Sequence, residues 1–596
     1  MGARSRLLRW ANWFALVNAA LLGVVGLRYV WYYSPLEPLV GWPYAGLAYV
    51  GHLSALAYIP LLLLVPVMIL IPQRWIVMPL AIVMSSVVLS FLLLDSMVFA
   101  ENRYHLGVLT FSLLEAKTWA FLFFYFLLGL AVEAMVADWI WRRTARPQTR
   151  RIGWYLALGL GTCLLVSNLI HAWAEAHYYP PVTAFTRYLP LYQPRTDRGL
   201  VRLGLVDRTR AREQGVAVAR GLPSDRVLNY PLAPLRCEPR RPMLNVLLVV
   251  IDAMRADALT PVVAPNTFEL AQGGVRFDGN FSGGNSSRAG MFSLFYGLPG
   301  TYWDAFASLT RPPLLMDLFQ RYGYQLGLFS SVPVYRAAAL DRTALARIPN
   351  LRLETVSPFP GSSGWDRALT DEWIEWLDRR EPGRPFFGFL YYDAAQAIEP
   401  PEGYPSVVPV PPGASKQARL NARYLTAVRY VDSLVGRVLD DLKRRKLLDQ
   451  TVVIVTSDHG MEFNENGLGF AGHGTAFSDL QLRTPLVVRW PGRPPGRVDR
   501  RTSHNDVAPT LITELFDCAN PPSDYSSGHS LFSDAQWDWL IAAGYEDFAL
   551  IEPDRVTVVL PSSYEIRDRN YRLVPKPTLP RDVVQAALKE MSRFYR

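Results

Sequence analysis

The sequence predicts a two-part fold: a bundle of five transmembrane helices, then an α/β domain whose mostly parallel sheet carries helices on both faces. Three observations predict it. Five long apolar runs crowd the first third of the 596 residues. Downstream, short continuous apolar strands alternate with helical stretches, the pattern of a sheet covered on both sides. Two of those strands end in acids: Asn245 to Asp252, and Val452 to Val455 followed by Asp458-His459-Gly460. Strand C-terminal ends are where α/β sheets build their sites.

The runs 11–33, 45–71, 76–100, 119–141 and 152–173 each hold roughly 22 residues or more, enough at about 1.5 Å per residue to cross a bilayer. The first is too long for a signal peptide, lacks a small-residue cleavage site and precedes four more spans, so it is retained. Arg4, Arg6 and Arg9 precede it, and Arg142, Arg143, Arg146, Arg150 and Arg151 fill the loop between spans four and five. The loop 34–44 has no Lys or Arg, and 101–118 mixes Glu101, Arg103, Glu115 and Lys117. The positive-inside rule then places the N-terminus in the cytoplasm and everything after residue 173 across the membrane, in the periplasm of a Gram-negative cell. The net charge of +9 is largely this topology signal and does not indicate a nucleic-acid partner. Asp95, Glu133 and Asp138 fall near span ends, where snorkelling to the interface explains them and a proton or ion path is the sharper alternative. Asn168 and His171 read as interhelical or interfacial contacts. No inverted repeat of spans marks a transporter.

Residues 176–240 form a connector rich in Pro and Arg, with Arg187, Arg195, Arg198, Arg202, Arg208, Arg210 and Arg212. Two readings stand: a solvated linker, or a basic belt that grips anionic lipid head groups. Cys237 and Cys518 could pair in an oxidising compartment, but nothing in the sequence brings them together.

Residues 241–596 read as one α/β domain. Strands are expected at Leu244–Ile251, Tyr324–Ser330, Pro385–Tyr392, Thr451–Thr456 and Pro485–Arg489. Helices are expected at Ser287–Tyr296, Pro312–Tyr322, Arg367–Leu377 and Lys416–Leu447, with short antiparallel strands and a helix closing the chain. Ser286 and Ser287 sit at a glycine-rich turn into a helix, whose N-terminal N–H groups favour an anion and an ionised nucleophile; a serine cap is the plainer alternative for either. Arg288 can hold a phosphate oxygen bidentately. Asp252, Asp458 and His459 supply hard metal ligands. His473, in a glycine-rich loop, faces substrate or metal; His504 is a weaker candidate. Acid, hydroxyl and acid-histidine together suit metal-assisted attack on a phosphate or sulfate ester.

This constellation resembles the alkaline phosphatase/sulfatase superfamily. The resemblance rests on Asn245–Asp252 with Arg255 and Asp257, the serine turn, Ser457-Asp458-His459-Gly460, the run 484–492, and His504-Asn505-Asp506 through Thr510. It implies one divalent ion (Mg, Mn, Ca or Zn) held by Asp252, Asp458 and His459, with the nucleophilic hydroxyl completing the shell. Sulfatases make formylglycine within Cys/Ser-x-Pro-Ser-Arg. Here Gly284 takes the nucleophile slot and Ser286 the Pro slot, which argues against that chemistry. Phosphoethanolamine and glycerol-phosphate transferases use an unmodified hydroxyl in a short pair, which points first to Ser286 and then to Ser287. The run Tyr391 to Gln396 lacks the His-x-Pro of many relatives. Over its length the chain resembles the YejM/PbgA family of inner-membrane sulfatase-like proteins, on Leu94-Asp95-Ser96, His171–Pro180, Gly284–Ser287, Leu294–Gly297 and Gly323–Ser331. That resemblance implies binding of lipid A of lipopolysaccharide near Arg198 and Arg202. It also implies regulation of lipopolysaccharide synthesis through the membrane-embedded part and a cytoplasmic proteolysis pathway, with a membrane regulatory protein as a partner.

Overall fold

The computed structural model describes residues 3–144, 152–239, 241–336 and 338–596. Arg146, Arg150 and Arg151 lie outside the described residues, as does the side chain of Arg198. The chain divides into two compact units, Met1–Asn229 with Ser592–Arg596, and Tyr230–Met591.

The first unit is built on five long helices, Ala3–Trp31, Pro38–Leu70, Arg74–Asn102, Ala116–Arg143 and Ile152–Ala176. Each is long and apolar enough to cross a membrane. Leu62, Leu63, Phe121, Phe123 and Phe124 are exposed on the outer faces, as lipid-facing side chains are. Pro43, Pro60 and Pro66 lie within the second helix, where membrane helices tolerate proline. Arg6 stacks over Trp141 at 3.9 Å and donates to its carbonyl at 3.0 Å, fastening the first span to the end of the fourth.

The intramembrane acids correct the sequence reading. Asp138 is exposed and paired with Arg142 at 2.7 Å, but Asp95 and Glu133 do not snorkel. Glu133 is fully buried and accepts from Asn18 Nδ2 of the first span at 3.1 Å. Asp95 accepts from Tyr29 Oη at 2.7 Å, His105 Nδ1 at 2.8 Å and the Leu106 N–H at 2.5 Å, so it locks the loop after the third span.

The connector folds rather than trailing as a linker. Arg195 N–H donates to Asn168 Oδ1 at 3.0 Å, His171 Nδ1 meets the Arg195 carbonyl at 3.0 Å, and Asp197 N–H donates to Glu175 at 2.9 Å. These bonds hold the start of the helix Arg198–Arg202 against the end of the fifth span. Asp207 caps the next helix, Arg208–Arg220, through the Arg210 N–H at 3.1 Å. The last residues return to this unit: Asn229 N–H donates to the Phe594 carbonyl at 2.9 Å, and Arg187 lies 3.6 Å over the Tyr595 ring.

The second unit centres on seven strands: β1 Asn245–Ile251, β2 Val275–Phe281, β3 Gln325–Ser330, β4 Phe386–Tyr392, β5 Thr451–Thr456, β6 Leu486–Arg489 and β7 Gly496–Ser503. Their order is β3-β4-β1-β5-β6-β2-β7. Strands β3, β4, β1 and β5 pair in parallel, as do β2 and β7, while β6 runs antiparallel to both neighbours. The sheet is therefore mixed, with a single reversed strand among the parallel ones. β1, β4 and β5 are buried along their whole length, which is why they read as unbroken apolar runs. Gly327 and Gly388 on adjacent strands open a groove for the helix Gly361–Arg379: a Cβ on Gly388 would lie 2.5 Å from the Trp373 ring. A four-stranded antiparallel meander, Leu540–Ala543, Phe548–Ile551, Arg555–Val559 and Tyr564–Asp568, precedes the final helix Arg581–Ser592. Cys237 and Cys518 are joined by a disulfide across 281 residues of chain.

Candidate metal and nucleophile site

Register assembles the site. Val250 of β1 pairs with Tyr391 of β4 and Thr456 of β5, so Asp252, Tyr391 and Asp458 emerge at one edge of three adjacent strands. The chain turns sharply after Asp252, with Ala253 at φ 61°. Ser457 Oγ fixes that turn, accepting from Met254 N–H at 2.8 Å and donating to the His459 carbonyl at 2.6 Å.

The two carboxylates are tied differently. Asp458 Oδ1 accepts backbone N–H bonds from Ala253 at 3.2 Å and His459 at 2.9 Å. Its Oδ2 lies 3.0 Å from Tyr391 Oη and 3.5 Å from His459 Nε2. Asp252 Oδ2 is 2.5 Å from the same Tyr391 hydroxyl, while its Oδ1 is buried without a hydrogen-bond partner, 3.5 Å from His459 Nε2. One hydroxyl proton cannot serve two carboxylates at once. Burial, then the neighbouring Asp458 and Asp393, push the Asp252 carboxyl well above the usual carboxylate range.

His459 Nδ1 lies 2.9 Å from the Gly460 carbonyl, which places its proton there and leaves the Nε2 lone pair facing the acids. Ligand atoms of Asp252, Asp458 and His459 all fall within 4.8 Å of one another. Two hard oxygens and an imidazole nitrogen, an unpartnered buried oxygen and too few protons fit a divalent cation.

The helix Ser287–Tyr296 brings the hydroxyls. Gly290 lets it rest on the Asp458 backbone, since a Cβ there would meet the Asp458 carbonyl at 2.0 Å. Ser287 Oγ lies 3.1 Å from His459 Nε2. Ser286 occupies the cap position, makes no capping bond, and its Oγ is buried without a partner. Ser287 lines a cavity of about 250 Å³ with Asp252, Tyr391, Asp393, Gln396 and His473, walled by Val332 to Val334. Ser286 and Arg288 are not among its lining residues. Arg288 instead donates to the Gly544 and Tyr545 carbonyls, with its guanidinium 4.8 Å over Trp303.

His473 stacks on His459 with ring centres 4.5 Å apart and meets Gln396 Nε2 at 2.9 Å. Burial, then the neighbouring His459, push its pKa down to about 4. His504 is fully buried, 3.1 Å from Thr484 Oγ1, and burial pushes its pKa down to about 4. Arg255 is buried in ion pairs with Asp257 and Glu465. Sequence reasoning missed Tyr391, Asp393 and Gln396. Their signal was present: a buried strand ending in polar residues, the same pattern that marked Asp252.

Residues 2–237 match the family model described as a domain of unknown function, DUF3413, and residues 244–515 match the sulfatase model. The inner membrane protein YejM of Salmonella typhimurium is 29% identical over 611 residues, covering 99% of this chain and 97% of that one. An uncharacterized protein of Haemophilus influenzae is 26% identical over 568 residues, covering 92% and 89%. Among solved structures, a protein of the alkaline phosphatase superfamily from Vibrio parahaemolyticus covers 60% of this chain and 89% of its own at 18% identity, with a TM-score of 0.47. The matched regions follow one another as the two parts of the fold do, a DUF3413 match spanning the five apolar helices and a sulfatase match over the sheet domain, and along nearly its whole length the chain is similar to the inner membrane protein YejM.

Proposed function

We propose that this is an inner-membrane, metal-dependent phosphoester hydrolase or transferase whose sulfatase-like domain faces the periplasm and acts on phosphate-bearing envelope lipids. The observation that carries the reading is the convergence on His459 Nε2 of Ser287 Oγ and the unpartnered Asp252 oxygen, from two residues that line one cavity. The disulfide supports an oxidising compartment for that domain.

A divalent ion held by Asp252, Asp458 and His459 would lower the pKa of a nearby hydroxyl and neutralise charge on phosphate oxygens. Ser287 Oγ attacks phosphorus in line, forming a phosphoserine as the ester oxygen leaves. Asp458, fixed by two backbone N–H groups, and Tyr391, anchored on β4, hold the acids in register. His473, neutral and held by Gln396, is placed to hydrogen-bond the phosphate or leaving oxygen. Water or a second lipid then takes the phosphoryl group.

The test is metal content of the purified full-length protein in detergent, with turnover of a generic phosphomonoester, phosphodiester and sulfate ester. Stoichiometric metal and phosphoester turnover lost in Asp458→Ala support the reading; a protein that never takes up metal overturns it.

A second reading is favoured by the connector, which the span end holds in place and which leaves Arg195 and Arg202 exposed. In it, Arg198 and Arg202 bind the phosphates of lipid A or another anionic lipid, and occupancy regulates lipopolysaccharide synthesis through a membrane protein partner. Unchanged lipid A binding in nanodiscs after Arg198→Ala with Arg202→Ala would count against it. The two readings are compatible.

A further inference from the structure

A second cavity, about 190 Å³, lies in the same domain and shares no lining residue with the cleft of Ser287. Its floor is the Phe281 ring at the end of β2. Two cations converge on that ring, with the guanidinium carbons of Arg501 and Arg483 at 5.2 and 6.0 Å from its centre. Arg555 and Arg569 complete the basic wall, opposite Asp479, Asp499 and Glu552.

The charges do not cancel inside the cavity. Arg555 closes on Glu552 in a bidentate pair at 2.8 and 2.9 Å. Asp499 takes Arg497 Nε at 2.9 Å. Arg483, Arg501 and Arg569 are left with Asp479 within the wall and Asp538 acting on Arg501 from outside it.

Nor are the donors used up. Arg483 gives one N–H to the Asp278 carbonyl at 2.5 Å, but its Nε is buried without a partner. Arg501 gives one to the Ile551 carbonyl at 3.2 Å. Among the described residues Arg569 has no hydrogen-bond or ion-pair partner. Burial lowers the pKa of Arg501, and the like charges of Arg569 and Arg483 work in the same direction, against Asp479 and Asp538. Partly desolvated like charges with spare planar N–H forks, grouped around a concavity, are the elements of an oxyanion receptor. Several forks around one point suit a tetrahedral dianion better than a planar carboxylate.

We propose that this cavity is a phosphate-binding site, formed by Arg483, Arg501 and Arg569 and separate from the metal-ligand cleft. The inference does not depend on the cleft being catalytic. Its occupant is a phosphate group, free or as the head group of a lipid.

The test is calorimetric titration of the full-length protein in detergent with inorganic phosphate, at low ionic strength and with EDTA present so that the metal cleft is disabled. The wild type binds. Arg569→Gln, an exposed residue whose loss leaves the fold intact, weakens binding at least about tenfold, and Arg501→Gln with Arg569→Gln abolishes it. Asp252→Asn keeps wild-type affinity. No binding by the wild type, unchanged affinity in Arg569→Gln, or binding lost in Asp252→Asn overturns the proposal. Repeating the titration in nanodiscs identifies the source. Competition by phosphatidic acid but not phosphatidylcholine supports a lipid head group, and phosphate affinity undisturbed by either supports free phosphate.

Discussion

Ser287 Oγ stands 3.1 Å from Nε2 of His459, and the proton on the other ring nitrogen is directed at the Gly460 carbonyl. That arrangement ranks the two serines. Ser287→Ala is expected to lower phosphomonoester turnover by about a thousandfold or more, whereas Ser286→Ala retains most of it. Steady-state kcat for both variants checks this, and the reverse ranking moves the nucleophile to Ser286.

Asp252 and Asp458 crowd two buried carboxylates around one tyrosine hydroxyl. Without metal, Asp252→Asn relieves that repulsion and is expected to raise stability by about 1–3 kcal/mol. The same change should erase the stabilisation that divalent ions confer on the wild type. Melting temperature with EDTA and with excess metal reads both effects.

Tyr391→Phe removes the hydroxyl that bridges both acids. The metal-free protein should lose about 1–3 kcal/mol as buried acceptors go unpaired. Saturating metal should recover part of the loss, because the ion answers the same charge. Denaturant titration in both states measures the difference.

Cys518→Ser opens the bond that ties residue 237 to the chain just after the helix Val507–Glu514. Stability of that domain is expected to fall by about 2–4 kcal/mol. Reductant should reproduce the loss in the wild type and leave the variant unchanged, as followed by chemical unfolding.

Much of this was legible in the sequence, for identifiable reasons. The five spans and strands β1, β4 and β5 are continuous apolar runs, because bilayer or buried sheet surrounds them on every side. Strand β2 escaped notice because Asp278, Gly279 and Asn280 interrupt its apolar character, and β7 because it is a largely polar edge strand. Asp252, Asp458 and His459 were readable from strand ends alone. Tyr391 closes a strand of the same kind, and only its pairing with Val250 shows that it stands beside those acids. The resemblance put Ser286 ahead of Ser287 and the geometry favours the reverse order, because one residue turns a helix by about 100° and only packing shows that the Ser287 hydroxyl meets His459. Glu133 was misjudged for a related reason: hydropathy reports depth along a span, not which face meets Asn18.

The return of Ser592–Arg596 to the first unit makes the sulfatase-like domain an insertion rather than an appendage. Its points of departure and return adjoin, because Asn229 bonds to Phe594. A single proteolytic nick in the stretch before Tyr230 would leave the domain moored by its tail, and release would require a second event. Adjoining ends also make residues 230–591 a natural excision: joined by a short loop, they should tolerate circular permutation.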